Sequence, residues 1–268
     1  MSSTRRVIVT RPQREALAWV GDLRLRGMDA VALPLICIGP APDPVALRRV
    51  WGALDQFDAV LFVSGNAVEH FFAAKPPGLA HPLQGAQARL RAFVTGPGSQ
   101  AALVAAGASA QQIDAPPLEG RVFDSEALWQ QVRHRICTGY RVLIVRGSDA
   151  ATGPRAQGAG RDWFGEQAAA AGAQVHYVAA YARAAPVWTD AQRTWIGQAA
   201  CDGSVWLLSS GQALNNLTAS LPAQTWGYAK AVATHARIAK AARAAGFGTV
   251  LESSPLLADI TASIESLA

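Results

Sequence analysis

The sequence predicts an α/β protein made of two similar domains, each a parallel sheet covered by helices. Three observations carry that expectation. Short apolar strands alternate with Ala-rich helical segments along all 268 residues, the pattern of a parallel sheet with helices on both faces. One phrase (strand, amphipathic segment, Gly, second strand, long apolar exit) occurs twice. It runs from VIVTRP at Val7 to AVALPLICIG ending at Gly39, and again from RVLIVRG through GRDWFGEQAAAAGAQVHYVAAYARAAP, which spans Gly160 to Pro186. Superposing Arg11 on Arg146 and Gly27 on Gly172 leaves about ten extra residues in the later copy, as expected of two units of one architecture. Two further pairs repeat: FVSGNAVEHF with LSSGQALNNL, and RAFVTGPGSQAALVAAG with KAVATHARIAKAARAAG. They place Ser64 against Ser210, Thr95 against Thr234 and Gly107 against Gly246.

The two long exits read as crossings between domains. The predicted first domain is therefore built from both chain ends, residues 1–36 and 182–268, with a second domain, 40–175, inserted in it. Residues 30–39 and 175–185 are the predicted crossing strands.

The elements follow in order. Val7 to Thr10 is the first strand, and Pro12 suits the opening of a helix from Gln13 to Leu25, whose Ala16, Leu17, Val20 and Leu23 recur at helical spacing. Gly27 stops it. A strand from Ala30 to Ile38 is interrupted by Pro34, which an edge or crossing segment tolerates and a central strand does not. Pro40, Pro42 and Pro44 mark a boundary. The second domain then reads as a helix from Pro44 to Leu54, the strand FDAVLFVS, a helix from Gly65 to Phe72, the strand RAFVT, and a helix from Ser99 to Ala106. A short strand from Gln112 to Ala115 and a helix from Ser125 to Arg135 follow, and RVLIVRG closes that domain's strands. The Gly-rich stretch from Gly147 to Gly160 reads as a surface loop, followed by a helix from Arg161 to Ala171. Past the return crossing come a helix from Asp190 to Ala199, VWLLSS, a helix from Gly211 to Ser220, AVAT, a helix to Ala245, TVLES and a last helix to Leu267.

Composition narrows the function classes. Half the residues are hydrophobic, enough for each domain to bury its own core. No apolar run approaches the ~20 residues that span a bilayer, and MSSTRRVIVTRP enters a strand instead of a signal-peptide core, so no membrane association and a cytoplasmic location are expected. Cys37, Cys137 and Cys201 are far apart, without CxxC spacing or neighbouring histidines, and read as reduced thiols lining apolar regions. No metal site is expected, since His70, His81, His134, His176 and His235 show no ligand spacing. The formal charge of +5 comes from 24 Lys plus Arg against 19 Asp plus Glu, with lysine only at Lys75, Lys230 and Lys240. Arg forks suit carboxylates and phosphates. No basic run interleaved with aromatics appears, so nucleic acid is not an expected partner.

Candidate site residues sit where strands end, because parallel sheets bind ligands beyond their carboxyl edges, where helix N-termini present free N–H groups. Arg11, Ser64, Gly65, Asn66, Thr95, Gly96, Ser99, Arg146, Ser210 and Thr234 are the predicted substrate-binding set. Taken singly, the Ser, Thr and Asn residues among them are explained by helix capping; six such strand ends facing one cleft make the case for a site. The arginines have a plain alternative too, pairing with a local Asp or Glu. Gly96-Pro97-Gly98-Ser99-Gln100-Ala101 fits a dinucleotide fingerprint, with Asp114 near the place of a ribose carboxylate. However, it opens neither domain, and its counterpart Thr234-His235-Ala236-Arg237 lacks the glycines. Gly153 to Gly158 lack the Lys and Ser of a phosphate loop. Tyr181 stands alone on the return crossing: a phenol with an ordinary pKa near ~10 can donate a proton at neutral pH, and an amphipathic ring can equally pack against the hinge.

These motifs, VTRP at Val9 to Pro12, FVSGNAV at Phe62 to Val68, VTGPGSQAAL at Val94 to Leu103, Gly160-Arg161, the Tyr-x-Arg of Tyr181 and Arg183, LSSGQAL and the Thr234 segment, resemble in order and spacing those of uroporphyrinogen-III synthases. The resemblance runs end to end. It implies two flavodoxin-like domains joined by a two-stranded linker, with a site in the cleft between them. It also implies action on hydroxymethylbilane, a linear tetrapyrrole rich in carboxylates; a monomer is expected. That substrate would lose water and close its ring with inversion of the last pyrrole through a spiro intermediate, without metal or organic cofactor. By the same resemblance Tyr181 matches a tyrosine that helps the hydroxyl leave, and Ser99 a hydroxyl of the cleft. His235-Ala236-Arg237 departs from the family's Gly-Pro-Thr, and the Gly147 to Gly160 loop is longer than usual. The strand pattern alone also accommodates a non-catalytic two-domain binding or sensor protein, or a nucleotide-dependent enzyme using the Gly96 loop.

Overall fold

Residues 5–84, 89–149 and 162–267 are described by a computed structural model of the chain, which forms two units: Met1–Cys37 with Ala184–Ala268, and Ile38–Arg183. The first unit opens with β1 (Arg6–Val9), α1 (Gln13–Leu25) and β2 (Asp29–Ala32). The second unit's sheet and helices follow as β3 (Cys37–Gly39), α2 (Pro44–Trp51), β4 (Ala59–Phe62), α3 (Gly65–Ala73), β5 (Arg91–Val94), α4 (Pro97–Ala105) and β6 (Ile113–Asp114). They continue as α5 (Ser125–Val132), β7 (Arg141–Asp149), α6 (Trp163–Ala170) and β8 (Gln174–Ala184). The first unit is completed by α7 (Asp190–Ala199), β9 (Val205–Leu208), α8 (Gly211–Ser220), β10 (Lys230–Ala233), α9 (Ala236–Ala244), β11 (Thr249–Glu252) and α10 (Leu257–Ser266).

The first sheet has the order β11-β10-β9-β1-β2, and its neighbours pair in parallel. Counted within the unit this is 2-1-3-4-5, the flavodoxin-like order. The second sheet has the order β3-β8-β7-β4-β5-β6, parallel from β8 to β6. If β7 and β8 are counted first, β8-β7-β4-β5-β6 is again 2-1-3-4-5. The second unit is thus a circularly permuted version of the first, with β3 added at its edge. This explains why the phrase that opens the chain returns near the end of the inserted unit. The helix ends carry the same signature: α1, α4, α6 and α9 stop at Gly27, Gly107, Gly172 and Gly246, all with positive φ. In each, the next residue's N–H reaches back to close the last turn, as in Met28 to Leu23 and Ala173 to Ala168.

Each unit has its own core. In the second, β4 is buried on both faces, as a central parallel strand must be. Val60 and Phe62 meet Leu47, Trp51, Val68, Phe71 and Leu103 on one side, while Leu61 meets Phe93, Leu128, Ile144 and Phe164 on the other. In the first, Val7, Val9, Val205 and Leu207 pack under α1 and α10 through Val20, Leu23, Ile260 and Ile264. Trp206, alternating to the opposite face of β9 and fully buried, meets Trp226 and Phe247 edge-on.

Some expectations are corrected. The strand predicted over 30–38 is two strands in different sheets, because residues 33–36 around Pro34 carry no ladder. RVLIVRG does not close the second unit's strands: β8 adds an eleven-residue strand alongside β7. The cysteines do not line apolar regions, since Cys37, Cys137 and Cys201 are all free and exposed; Cys37 lies in β3 at a sheet edge. The Gly147 to Gly160 loop begins later than predicted, Gly147 to Asp149 being part of β7, and residues 150–161 lie outside the described residues, with Gly153 to Gly158 and Gly160-Arg161 among them.

Because the second unit's strands find their ladder partners and both core faces within it, residues 38–183 alone are expected to melt in one cooperative transition with aromatic near-ultraviolet dichroism. A sloping, non-cooperative melt would show that this core depends on the other unit.

Candidate functional site

In a 2-1-3-4-5 sheet the strand order reverses direction between the first and third strands, and ligands sit beyond the carboxyl ends there. In the second unit that point lies between β7 and β4. The chain leaving β4 turns at Ser64, which caps α3 by accepting the N–H of Ala67 at 3.1 Å. Its Oγ also lies 3.1 Å from the phenol oxygen of Tyr181, a hydrogen bond in which either hydroxyl can donate. Tyr181 comes from β8, and the ladder opposes it to Gly147 just after a register shift in which β8 has one extra residue, Ala180. Its ring is 4% exposed and belongs to the core beneath α3, with the His70 imidazole at 5.5 Å between centroids. A Cβ at position 147 would fall 2.6 Å from Tyr181 Cζ and 3.0 Å from its oxygen, so only glycine lets the phenol lie flat against β7 and reach Ser64.

Arg146 was predicted at a strand end, and this is corrected: it sits inside β7, which its long partner β8 extends to Asp149. It is buried, its guanidinium carbon lies 4.3 Å over the Tyr177 ring, and Nη1 is 3.9 Å from Asp162. The Tyr177 hydroxyl donates to the same carboxylate at 2.6 Å. Burial first, and then that hydrogen bond, push the Tyr177 hydroxyl above the ordinary phenol range. Arg146 thus has a local acidic partner and an aromatic bed.

Next to α3, Gly96 caps α4 without a side-chain bond, and Thr95 lies half-buried before it while Ser99 is buried in its first turn. The helix starts are close: a Cβ on Gly65 would lie 3.6 Å from the Gly98 carbonyl. Asn66 stands beside Gly65 in the first turn of α3. The arrangement presents two helix N-termini at one sheet edge, which favours anions.

The first unit offers the equivalent edge with different groups. Thr10 is buried and donates to the Leu207 carbonyl at 2.6 Å. Arg11 pairs with Glu15 at 3.1 Å and lies 4.5 Å over Trp19. Ser210 caps α8 through the Ala213 N–H, and Thr234 precedes His235, whose ring accepts the Arg237 N–H at the start of α9. The predicted residues therefore fall at two sheet edges, with Ser64 and Tyr181 in direct contact. Sequence reasoning missed His70, Tyr177 and Asp162, and took Gly147 only as a residue at a strand end. A glycine inside an apolar strand signals close approach of another group and could have singled out Gly147. Among the described residues no cluster of His, Cys, Asp or Glu could hold a metal ion, and no helix is long and apolar enough to cross a membrane.

Comparison with known proteins adds three findings. The family model described as HEM4, uroporphyrinogen-III synthase HemD, matches residues 18–260. No curated protein matches the chain. Among solved structures, a mutant uroporphyrinogen III synthase from the extremely thermophilic bacterium Thermus thermophilus is 17% identical, with 98% of each chain covered and a TM-score of 0.58. Uroporphyrinogen-III synthetase from Helicobacter pylori is 12% identical, with 98% of this chain and 100% of that one covered and a TM-score of 0.58. At these identities the likeness establishes the two-domain α/β fold.

Gly147→Ala is expected to force Tyr181 off β7 and lower stability by about 1–3 kcal/mol, the usual cost of overpacking, read by denaturant unfolding. A variant as stable as the parent would mean that the ring moves aside without strain.

Proposed function

We propose, for a chain that belongs to the uroporphyrinogen-III synthase family, that the Ser64 and Tyr181 hydroxyl pair is where its reaction begins. The enzyme cyclises hydroxymethylbilane, with loss of water and inversion of the last pyrrole ring, as a step of haem biosynthesis; it is a cofactor-independent lyase. A non-catalytic binder or sensor, which the strand pattern left open, is not favoured by a family match over most of the chain. The observation that carries the site assignment is the 3.1 Å contact of the two hydroxyls at the strand-order reversal of the second sheet.

The chemical problem is to remove a hydroxyl from a carbon attached to a pyrrole and then choose which carbon attacks. The pyrrole stabilises the cation left behind, so ionisation needs only a modest acid, and Tyr181 is that acid in our reading. Most of the catalytic benefit then comes from holding a flexible tetrapyrrole in one fold, since orientation alone can lower a barrier by several kcal/mol. The substrate's carboxylates suit the helix starts at Gly65, Asn66, Thr95, Gly96 and Ser99 and, in the first unit, Ser210 and Thr234. Arg11 and Arg146 add positive potential, with Glu15 and Asp162 fixing their positions. We place the enzyme in the cytoplasm as a monomer.

Tyr181→Phe keeps the ring and removes the proton, so turnover is expected to fall by about 10²-fold or less, at the low end for general acids, with thermal stability nearly unchanged and the type III isomer still in excess. The measurement is the steady-state rate with hydroxymethylbilane together with the ratio of type III to type I product. Full turnover and unchanged selectivity would leave Tyr181 a packing residue.

A further inference from the structure

The Tyr181 ring is enclosed, so a substrate has little direct access to it. It is 4% exposed, set against β7 at Gly147, beside His70 and within the α3 core. Ser64, by contrast, is only half-buried and stands at the turn between β4 and α3. We propose that Ser64 is the group that touches the substrate and that Tyr181 acts through it, the pair forming a two-hydroxyl proton relay; this rests on the reading that the pair starts the reaction.

The hydrogen-bond inventory of Ser64 permits this. A serine oxygen has two lone pairs and one proton to give. One lone pair takes the Ala67 N–H at 3.1 Å. The Tyr181 oxygen, at 3.1 Å, can donate to the second, which leaves the serine proton directed away from both. In the reaction the bond from the hydroxymethyl carbon to its oxygen breaks. The oxygen keeps the electron pair, takes the Ser64 proton and leaves as water, while Ser64 regains a proton from Tyr181. The carbon is left as a cation conjugated with its pyrrole, and Tyr181 as a phenolate. Ring closure makes the new carbon–carbon bond and releases one proton from the attacked pyrrole, which returns through Ser64 to Tyr181. Ser64 caps the start of α3, a nine-residue helix, so the helix's positive end lies beside the pair through which the charge passes.

The relay also accounts for Gly147. The glycine leaves room for the phenol to lie flat against β7 and reach Ser64, where a methyl group would meet its ring at 2.6 Å.

The test is a double-mutant cycle on the full chain with hydroxymethylbilane, reading turnover and isomer ratio, with melting temperatures as the control for folding. Ser64→Asn removes the hydroxyl while keeping a good helix cap, and Ser64→Thr keeps both. Residues in one relay are not independent. Ser64→Asn and Tyr181→Phe are therefore expected to lose turnover by the same factor, about tenfold to a hundredfold. The double variant should lose no more than either, and Ser64→Thr should recover most of the rate. Losses that multiply in the double variant, or a Ser64→Asn enzyme with normal turnover beside an impaired Tyr181→Phe, would overturn the relay and leave Tyr181 as a direct acid. Normal turnover in Tyr181→Phe would remove both the relay and the acid role, and a parent chain that yields only the type I isomer would overturn the activity itself.

Discussion

The polar end of the second sheet depends on the absence of a side chain at position 147. With hydrogen there, the Tyr181 ring lies against β7, its hydroxyl reaches Ser64, and Ser64 in turn holds the first turn of α3. With a methyl group there, the ring would have to move by more than an ordinary contact allows, and the two hydroxyls would part. A local steric condition therefore links a strand, a helix start and a buried phenol that lie far apart along the chain. The residue that β8 carries in excess there, Ala180 between the partners of Arg146 and Gly147, is the backbone's part in the same arrangement.

The two units share one topology with different starting points, and this makes their differences informative. In the first unit the strand pair equivalent to β7 and β8 is β1 and β2, and β2 ends at Ala32, before the position where a counterpart of Tyr181 would stand. The counterpart of Ser64 is Ser210, which caps α8 in the same way. Among the described residues, one unit thus has a cap paired with a phenol and the other a cap for which no phenol partner is recorded. If Tyr181 is the proton donor as proposed, a reaction that needs one donor and otherwise orientation agrees with helix starts in both units and a phenol in one.

Much of the fold was legible because repeats constrain each other: Gly27 with Gly172 and Gly107 with Gly246 are the same helix stop seen in both units, and one reading of either supports the other. The membership of β8 in the sheet was not legible. Only Val178, Ala180 and Tyr181 of its eleven residues are buried, as in an edge or crossing strand, and nothing local says that it pairs along its whole length with β7. The site was half legible. Ser64 and Tyr181 were each picked out, the first by its place between strand and helix and the second as a lone aromatic on an apolar exit, but they are 117 residues apart and their contact is a property of the assembled sheet. Asp162 was missed for a similar reason, since its value to Arg146 and Tyr177 arises only when α6 packs on the opposite face. The cysteines were misjudged because a thiol in an apolar stretch resembles core until the strand proves to lie at an edge.

In the proposed mechanism Ser64 and Tyr181 deliver one proton at a fixed point while helix starts fix the carboxylates around it, so catalysis is chiefly placement. The most direct measurement is a crystal structure of the enzyme with an unreactive tetrapyrrole in which the terminal hydroxymethyl group is replaced by one that cannot leave. The terminal substituent is expected about 3–3.5 Å from Ser64 Oγ, the separation of a reacting pair, with the Tyr181 hydroxyl still bonded to Ser64. A bound ligand whose terminal carbon lies away from Ser64, against another hydroxyl or none, would contradict the proposed mechanism.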